Sequence, residues 1–240
     1  IQDYYLEHQI KHAEGVCWSD NAAVFFDGGI VLYLLDSYRI FQRKELLPVI
    51  EAATDYILST GIRHENGGLE IDHGQVAFKH KEPNFEFGHG PVGTAKLFYE
   101  LYKVTGEFFF YDQVKELCKG AEALGAPLYQ SPGYWNTTCL CCGPAGFVPL
   151  YIGLYRQDGD AHWKELADQI GAVLLGSAQR EKQYTSWKLA FDRTKPEELT
   201  APAGYYTGAA GIAVALLQLY RLEVPGTPVI QMIDDPYRRN

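Results

Sequence analysis

Residues 139–146 read CLCCGPAG: three cysteines in four positions, then glycines at 143 and 146 that open the apolar run FVPLYIGLY. Small residues let the turn ahead of a helix pack closely, and they leave its first backbone N–H groups uncovered. Sulfur concentrated at such a mouth points to a metal-binding turn, set against the plainer reading that buried cysteine is a small, soft core residue. The same glycine frame returns without the cysteines as GPVG (90–93) and GAAG (208–211), and in a weaker first copy Phe26 stands where the earlier glycine would be, ahead of Gly29. In every copy a tyrosine follows nine residues after the later glycine, at Tyr38, Tyr102, Tyr155 and Tyr220.

The later glycines, at 29, 93, 146 and 211, follow one another at intervals of 64, 53 and 65 residues, each enough for two helices and their loops at about 1.5 Å per residue. Each unit therefore reads as a helical hairpin. An inner helix starts at the glycines, and an outer, more amphipathic one follows turns such as KVTGEFFFYDQ and RQDGDAHWKEL. Such a hairpin cannot bury both faces alone, so neighbours must stack. If the inner helices run parallel, the residues just before each glycine corner face a common space: Val24 and Phe25, Gly88 and His89, Cys141 and Cys142, Tyr206 and Thr207.

The rest of the chain agrees with an all-helical protein. Residues 4–13 read as a short helix and the run from Gly28 as a buried one. Residues 45–59 read as an amphipathic helix capped by Gly61, with GGLEI and QVAF as brief strands. With 240 residues, 47% of them hydrophobic, one domain over 1–240 is expected. A net charge of −9 argues against nucleic acid and anionic membrane surfaces as partners. No run reaches the roughly 18 apolar residues of a membrane span. Five cysteines, three of them crowded into residues 139–142, do not form a secreted disulfide framework, which points to a reducing, cytoplasmic setting. A chain that opens on Ile1 and has its one Met at 232 reads as a processed form or a piece of something longer.

FGHGPVGTAKLFYELYKVTG, CLCCGPAGFVPLYIGLYRQDGD and YYTGAAGIAVALLQLYRL, with FFDGGIVLYLLDSYRI as a weaker first copy, together resemble the lanthionine cyclases, LanC and the LanC-like proteins. The resemblance runs from about Trp18 to Leu222. It implies an α/α toroid; four hairpins are legible against the family's seven, so the toroid reads as incomplete. It also implies one zinc ion held by two cysteines and a histidine. The implied reaction adds a peptide cysteine thiol to a dehydrated Ser or Thr residue and closes a thioether ring. A peptide or a small thiol such as glutathione is the implied partner.

Carried onto this sequence, CLCCG resembles the family's Cys-His-Gly motif with cysteine for histidine, which makes Cys141 and Cys142 metal ligands. FGHGPVG admits two readings. It matches the motif whose histidine is a catalytic acid or base, or the Trp-Cys-x-Gly motif with Gly88 replacing a ligand. A third alignment makes CLCCG the Trp-Cys-x-Gly equivalent and YYTG a ligand-free version of the other. The ligand set expected here is Cys141, Cys142 and His89, with Cys139 beside Cys141 as an alternative pair that leaves His89 to move a proton.

Asp27, just before a glycine pair, is either a helix cap or a second acid–base group. Trp135, Tyr206 and Arg193 are the expected substrate contacts, the aromatic rings for a peptide and the guanidinium for a carboxylate. Trp18, Trp163 and Trp187 read as core or wall, and His64, His73 and His80 as solvated loop residues. One other class remains open. Helical toroids also serve sugar-cleaving and sugar-isomerising enzymes through paired carboxylates, here Glu70, Asp72, Glu86 and Asp192. Sugar chemistry gives the sulfur cluster no task.

Overall fold

Each of the four repeated tyrosines lies one turn before an inner helix ends, and its carbonyl closes that end. Tyr38 accepts from the N–H of Gln42 at 2.8 Å, Tyr102 from Gly106 at 2.8 Å, Tyr155 from Gly159 at 2.9 Å and Tyr220 from Val224 at 2.9 Å. Gly106 and Gly159 take the left-handed conformation, both with φ of 75°. Glycine adopts that conformation without a Cβ penalty. The repeat seen in the sequence is thus a repeat of helix length. The computed structural model describes residues 1–19, 21–71, 85, 87–128, 137–190, 195, 197–228, 230, 232 and 235–237. They form two compact units, Ile1–Asn84 with Gly88–Leu124, and Phe85–Phe87 with Gly125–Asn240.

The first unit runs α1 (Gln2–Glu7), β1 (Ile10–His12), β2 (Gly15–Cys17), α2 (Asp27–Phe41), α3 (Leu47–Ser59), β3 (Gly61–Arg63), β4 (Leu69–Ile71), α4 (Pro91–Thr105) and α5 (Phe108–Ala123). The inner helices α2 and α4 pack on each other, α3 on α2, and α5 on α4. Inner and outer helices differ in how far round they are buried. In α4, Val92, Ala95, Leu97, Phe98, Tyr99 and Leu101 are all covered, whereas α5 buries one stripe, Tyr111, Val114, Leu117, Cys118 and Ala121. That is the pattern of a helix enclosed by neighbours beside one that closes the outside.

The second unit repeats the scheme. A 3-10 turn (Pro144–Gly146) leads into α6 (Phe147–Asp158), followed by α7 (Ala161–Ser177), β5 (Gln179–Glu181), β6 (Tyr184–Ser186) and α8 (Ala209–Glu223). Phe147, Leu150, Tyr151 and Leu154 of α6 are essentially inaccessible, each apolar side chain contributing about 2 kcal/mol by burial. α7 buries Trp163, Ala167, Ile170, Gly171 and Leu174, a stripe at helical spacing, and α8 packs on both α6 and α7.

Three details differ from the sequence reading. Residues 4–13 are not one helix: α1 stops at Glu7, and Ile10–His12 pairs antiparallel with Gly15–Cys17. Thr60, not Gly61, closes α3, and Gly61 begins β3, paired with Ile71. Two further hairpins, β3–β4 and β5–β6, each have strands of three residues, too short for a period-two pattern to show. GGLEI does contribute β4; QVAF lies outside the described residues. Among those residues no sheet exceeds two strands, and no helix is long and apolar enough to cross a membrane.

Candidate functional site

The glycine corners bring their preceding residues together within each unit. In the first, the N–H of Phe25 donates to the carbonyl of Gly88 at 3.3 Å. The Phe25 ring meets His89 edge-to-face at 5.2 Å, with Phe26 at 6.0 Å. Phe25 is 54% exposed and His89 half-buried, so an imidazole held between two aromatic rings stands at a surface a ligand can reach. A Cβ at Gly88 would lie 2.4 Å from the Phe25 ring, so a side chain there would displace that exposed ring.

In the second unit, Cys141 is a rung between two neighbours. Its N–H donates to the carbonyl of Tyr206 at 2.8 Å, and its own carbonyl accepts from Phe87 at 2.9 Å. The rings of Phe87 and Tyr206 lie 6.2 Å apart. Cys141 and Cys142 are half-buried, whereas Cys139 is fully enclosed. The Cys139 sulfur accepts the backbone N–H of Cys142 at 3.5 Å and lies 3.7 Å from the Thr137 hydroxyl. Hydrogen bonds from the Cys142 side chain, the N–H groups of Cys142 and Cys141, and Thr137 outweigh burial and bring the Cys139 thiol down to about 6. Donors aimed at sulfur favour the thiolate. Cys139 thus emerges as the thiol whose charge is stabilised first by the Cys142 side chain and then by the N–H groups and hydroxyl around it. Its spacing from Cys142 was the signal for it. Phe87 opens the FGHGPVG motif, but the sequence reading gave it no role of its own.

Asp27 occupies the first position of α2 with its carboxylate turned back over the preceding loop. It accepts from the N–H of Trp18 at 2.9 Å and of Asn21 at 3.3 Å. Burial raises its carboxyl above the ordinary 3.8, opposed by those N–H donors. A raised carboxyl stabilises the fold fully below its ordinary value, and that contribution fades as pH rises through the folded value. Urea titrations should show the stability of wild type relative to Asp27→Asn greatest near pH 3 and falling towards neutrality. Asp27→Ala, which strands both loop N–H groups, should cost about 1–3 kcal/mol at neutral pH. If Asp27→Asn instead abolished activity while matching the wild-type urea curve at every pH, the carboxylate would be a reacting group and not a loop brace.

Tyr206 lies at the corner before α8, 39% exposed, next to Cys141 through the backbone. Trp135 and Arg193 lie outside the described residues, as do His73, His80, Asp72, Glu86 and Asp192. His64 Nε2 lies at hydrogen-bond distance, 3.2 Å, from Glu70 Oε2. Trp187 is core, its indole N–H donating to the Leu174 carbonyl at 2.7 Å, and Trp163 is buried against Tyr151. His89 belongs to one unit and the three clustered cysteines to the other. Among the described residues, no three Cys, His, Asp or Glu side chains are grouped to hold a metal ion.

No curated protein matches the chain. The family model for lanthionine synthetase C-like proteins matches residues 27–229, a span that takes in Gly29, Gly93, Gly146 and Gly211 and the whole sulfur cluster. With most of its length so matched, the chain belongs to the lanthionine synthetase C-like family.

Proposed function

We propose that the protein is a thioether-forming cyclase of the lanthionine synthetase type, adding a peptide cysteine thiol to a dehydrated Ser or Thr residue with the help of zinc. The observation that carries this reading is the sulfur cluster at the α6 corner, where two half-buried thiols stand beside an enclosed third whose sulfur is met by N–H donors. Thiolate sulfur is a donor that suits zinc, so Cys141 and Cys142 would hold the ion. Zinc bound there supplies the charge that deprotonates an incoming thiol near neutral pH. The chain's own groups do the rest. Cys141 and Cys142 are half-buried, and Tyr206, 39% exposed, offers an aromatic wall to a peptide. His89 would return the proton to the carbon left anionic by thiol addition.

A second reading is a family member that binds a thiol or peptide without cyclising it. It is favoured by Tyr206 and Thr207, which at the corner before α8 offer no zinc donor. One experiment separates the two. The purified protein should carry about one zinc per chain, which Cys141→Ala should lose together with thiol addition to a dehydrated peptide. Thiol binding without addition would transfer the assignment to the second reading. Absence of zinc together with wild-type addition in Cys141→Ala would remove the zinc-dependent mechanism.

A further inference from the structure

We propose that Cys139 and Cys142 are a thiol–disulfide exchange site, closing reversibly into an intrachain disulfide with a small-molecule or protein disulfide as co-reactant. The two sit in a Cys-x-x-Cys turn. The Cys139 sulfur already accepts the N–H of Cys142 at 3.5 Å, and the Cys142 side chain hydrogen-bonds to it. The two side chains are thus already neighbours, as a bond between their sulfurs requires.

The turn is held from both sides. Cys141 is fixed through its backbone to Tyr206 and Phe87. Leu140 is buried and packs so tightly on α8 that a Cβ at Gly211 would lie 2.6 Å from its Cδ1. The chemistry is divided by exposure: Cys142 is reachable, and Cys139 is enclosed. Cys142 attacks the incoming disulfide, forming a mixed disulfide and releasing one thiolate. The Cys139 sulfur then attacks the Cys142 sulfur, the protein disulfide forms, and the second thiolate leaves. The two cysteines are oxidised by two electrons, the co-reactant is reduced by two, and the two protons pass to the two released thiols. Cys141, anchored as a rung, takes no part. The proposal does not depend on the cyclase reading, although it removes Cys142 from any metal.

The test treats the purified full chain with 2-hydroxyethyl disulfide in the presence of a chelator, quenches with acid and counts thiols in denaturant. Thiols should fall from five to three per chain and return with dithiothreitol. Cys141→Ser should still form the intrachain bond. Cys139→Ser should instead trap one mercaptoethanol on Cys142, seen by intact mass, and Cys142→Ser should do neither. An unchanged wild-type thiol count would overturn the proposal. So would loss of the intrachain bond in Cys141→Ser, with its circular dichroism unchanged, or its persistence in Cys139→Ser. The chelator separates this outcome from the zinc reading, since disulfide closure is scored whatever the metal content.

Discussion

Gly211→Val is expected to unfold the second unit or to lower its stability by at least about 3 kcal/mol. A Cβ built at Gly211 would stand 1.8 Å from the carbonyl oxygen of Tyr205 and 2.6 Å from Leu140 Cδ1. The first of these is backbone, held in place because the neighbouring Tyr206 carbonyl accepts the N–H of Cys141. Relief therefore requires moving the corner itself, and with it the rung that positions the cysteines. Even Gly211→Ala meets the carbonyl, so both variants should shift the urea midpoint downward, valine further. Gly176→Ala is the control: a Cβ there meets nothing within 4 Å, and a helical glycine replaced by alanine should gain a few tenths to about 1 kcal/mol. If Gly211→Val melted with the wild type, the close approach of corner and helix would be wrong. The reason offered for the glycine frame would go with it.

That frame is also where the sequence was most informative. Glycine followed nine residues later by tyrosine is a statement about helix length, and the four tyrosine carbonyls that accept the helix-ending N–H groups are its physical counterpart. The sequence named the corner residues as a set facing one common space; the contacts seen are Phe25 with Gly88 in one unit and Cys141 with Tyr206 in the other. What was not legible depends on contacts with no period. Residues 10–12 carry a helical pattern, yet they pair with Gly15–Cys17, and Gly15 lies so close to α3 that a Cβ would be 2.0 Å from the Ala52 carbonyl. Asp27 has the residue type of a cap and the position of a base. Only the two loop N–H groups on its oxygens show how it is used. The ranking of the three cysteines was hidden for the same reason, since burial and N–H donors distinguish Cys139 and composition does not.

His89→Asn is expected to reduce the rate of thiol addition to a dehydrated peptide by about 10²–10⁴-fold while leaving the urea midpoint nearly unchanged. The argument for a chemical role is the setting of the ring. It lies half-buried beside Phe25 and Phe26, at the corner that opens α4, edge-to-face with the first at 5.2 Å. Asparagine keeps polarity and roughly the size of the first ring atoms but cannot pass a proton between two nitrogens. A role in protonating the carbon left by thiol addition should therefore appear in kcat, with KM for the peptide little altered. A ligand role for the same ring should instead show as loss of zinc in proportion to lost activity, which metal analysis of the same sample reads directly. Phe25→Leu is the companion variant: it removes the aromatic edge contact without touching the imidazole, so it should reduce the rate modestly and leave metal content intact. Full activity in His89→Asn, with the fold intact, would leave the aromatic corner of the first unit as packing alone and assign the chemistry to the cysteine corner of the second.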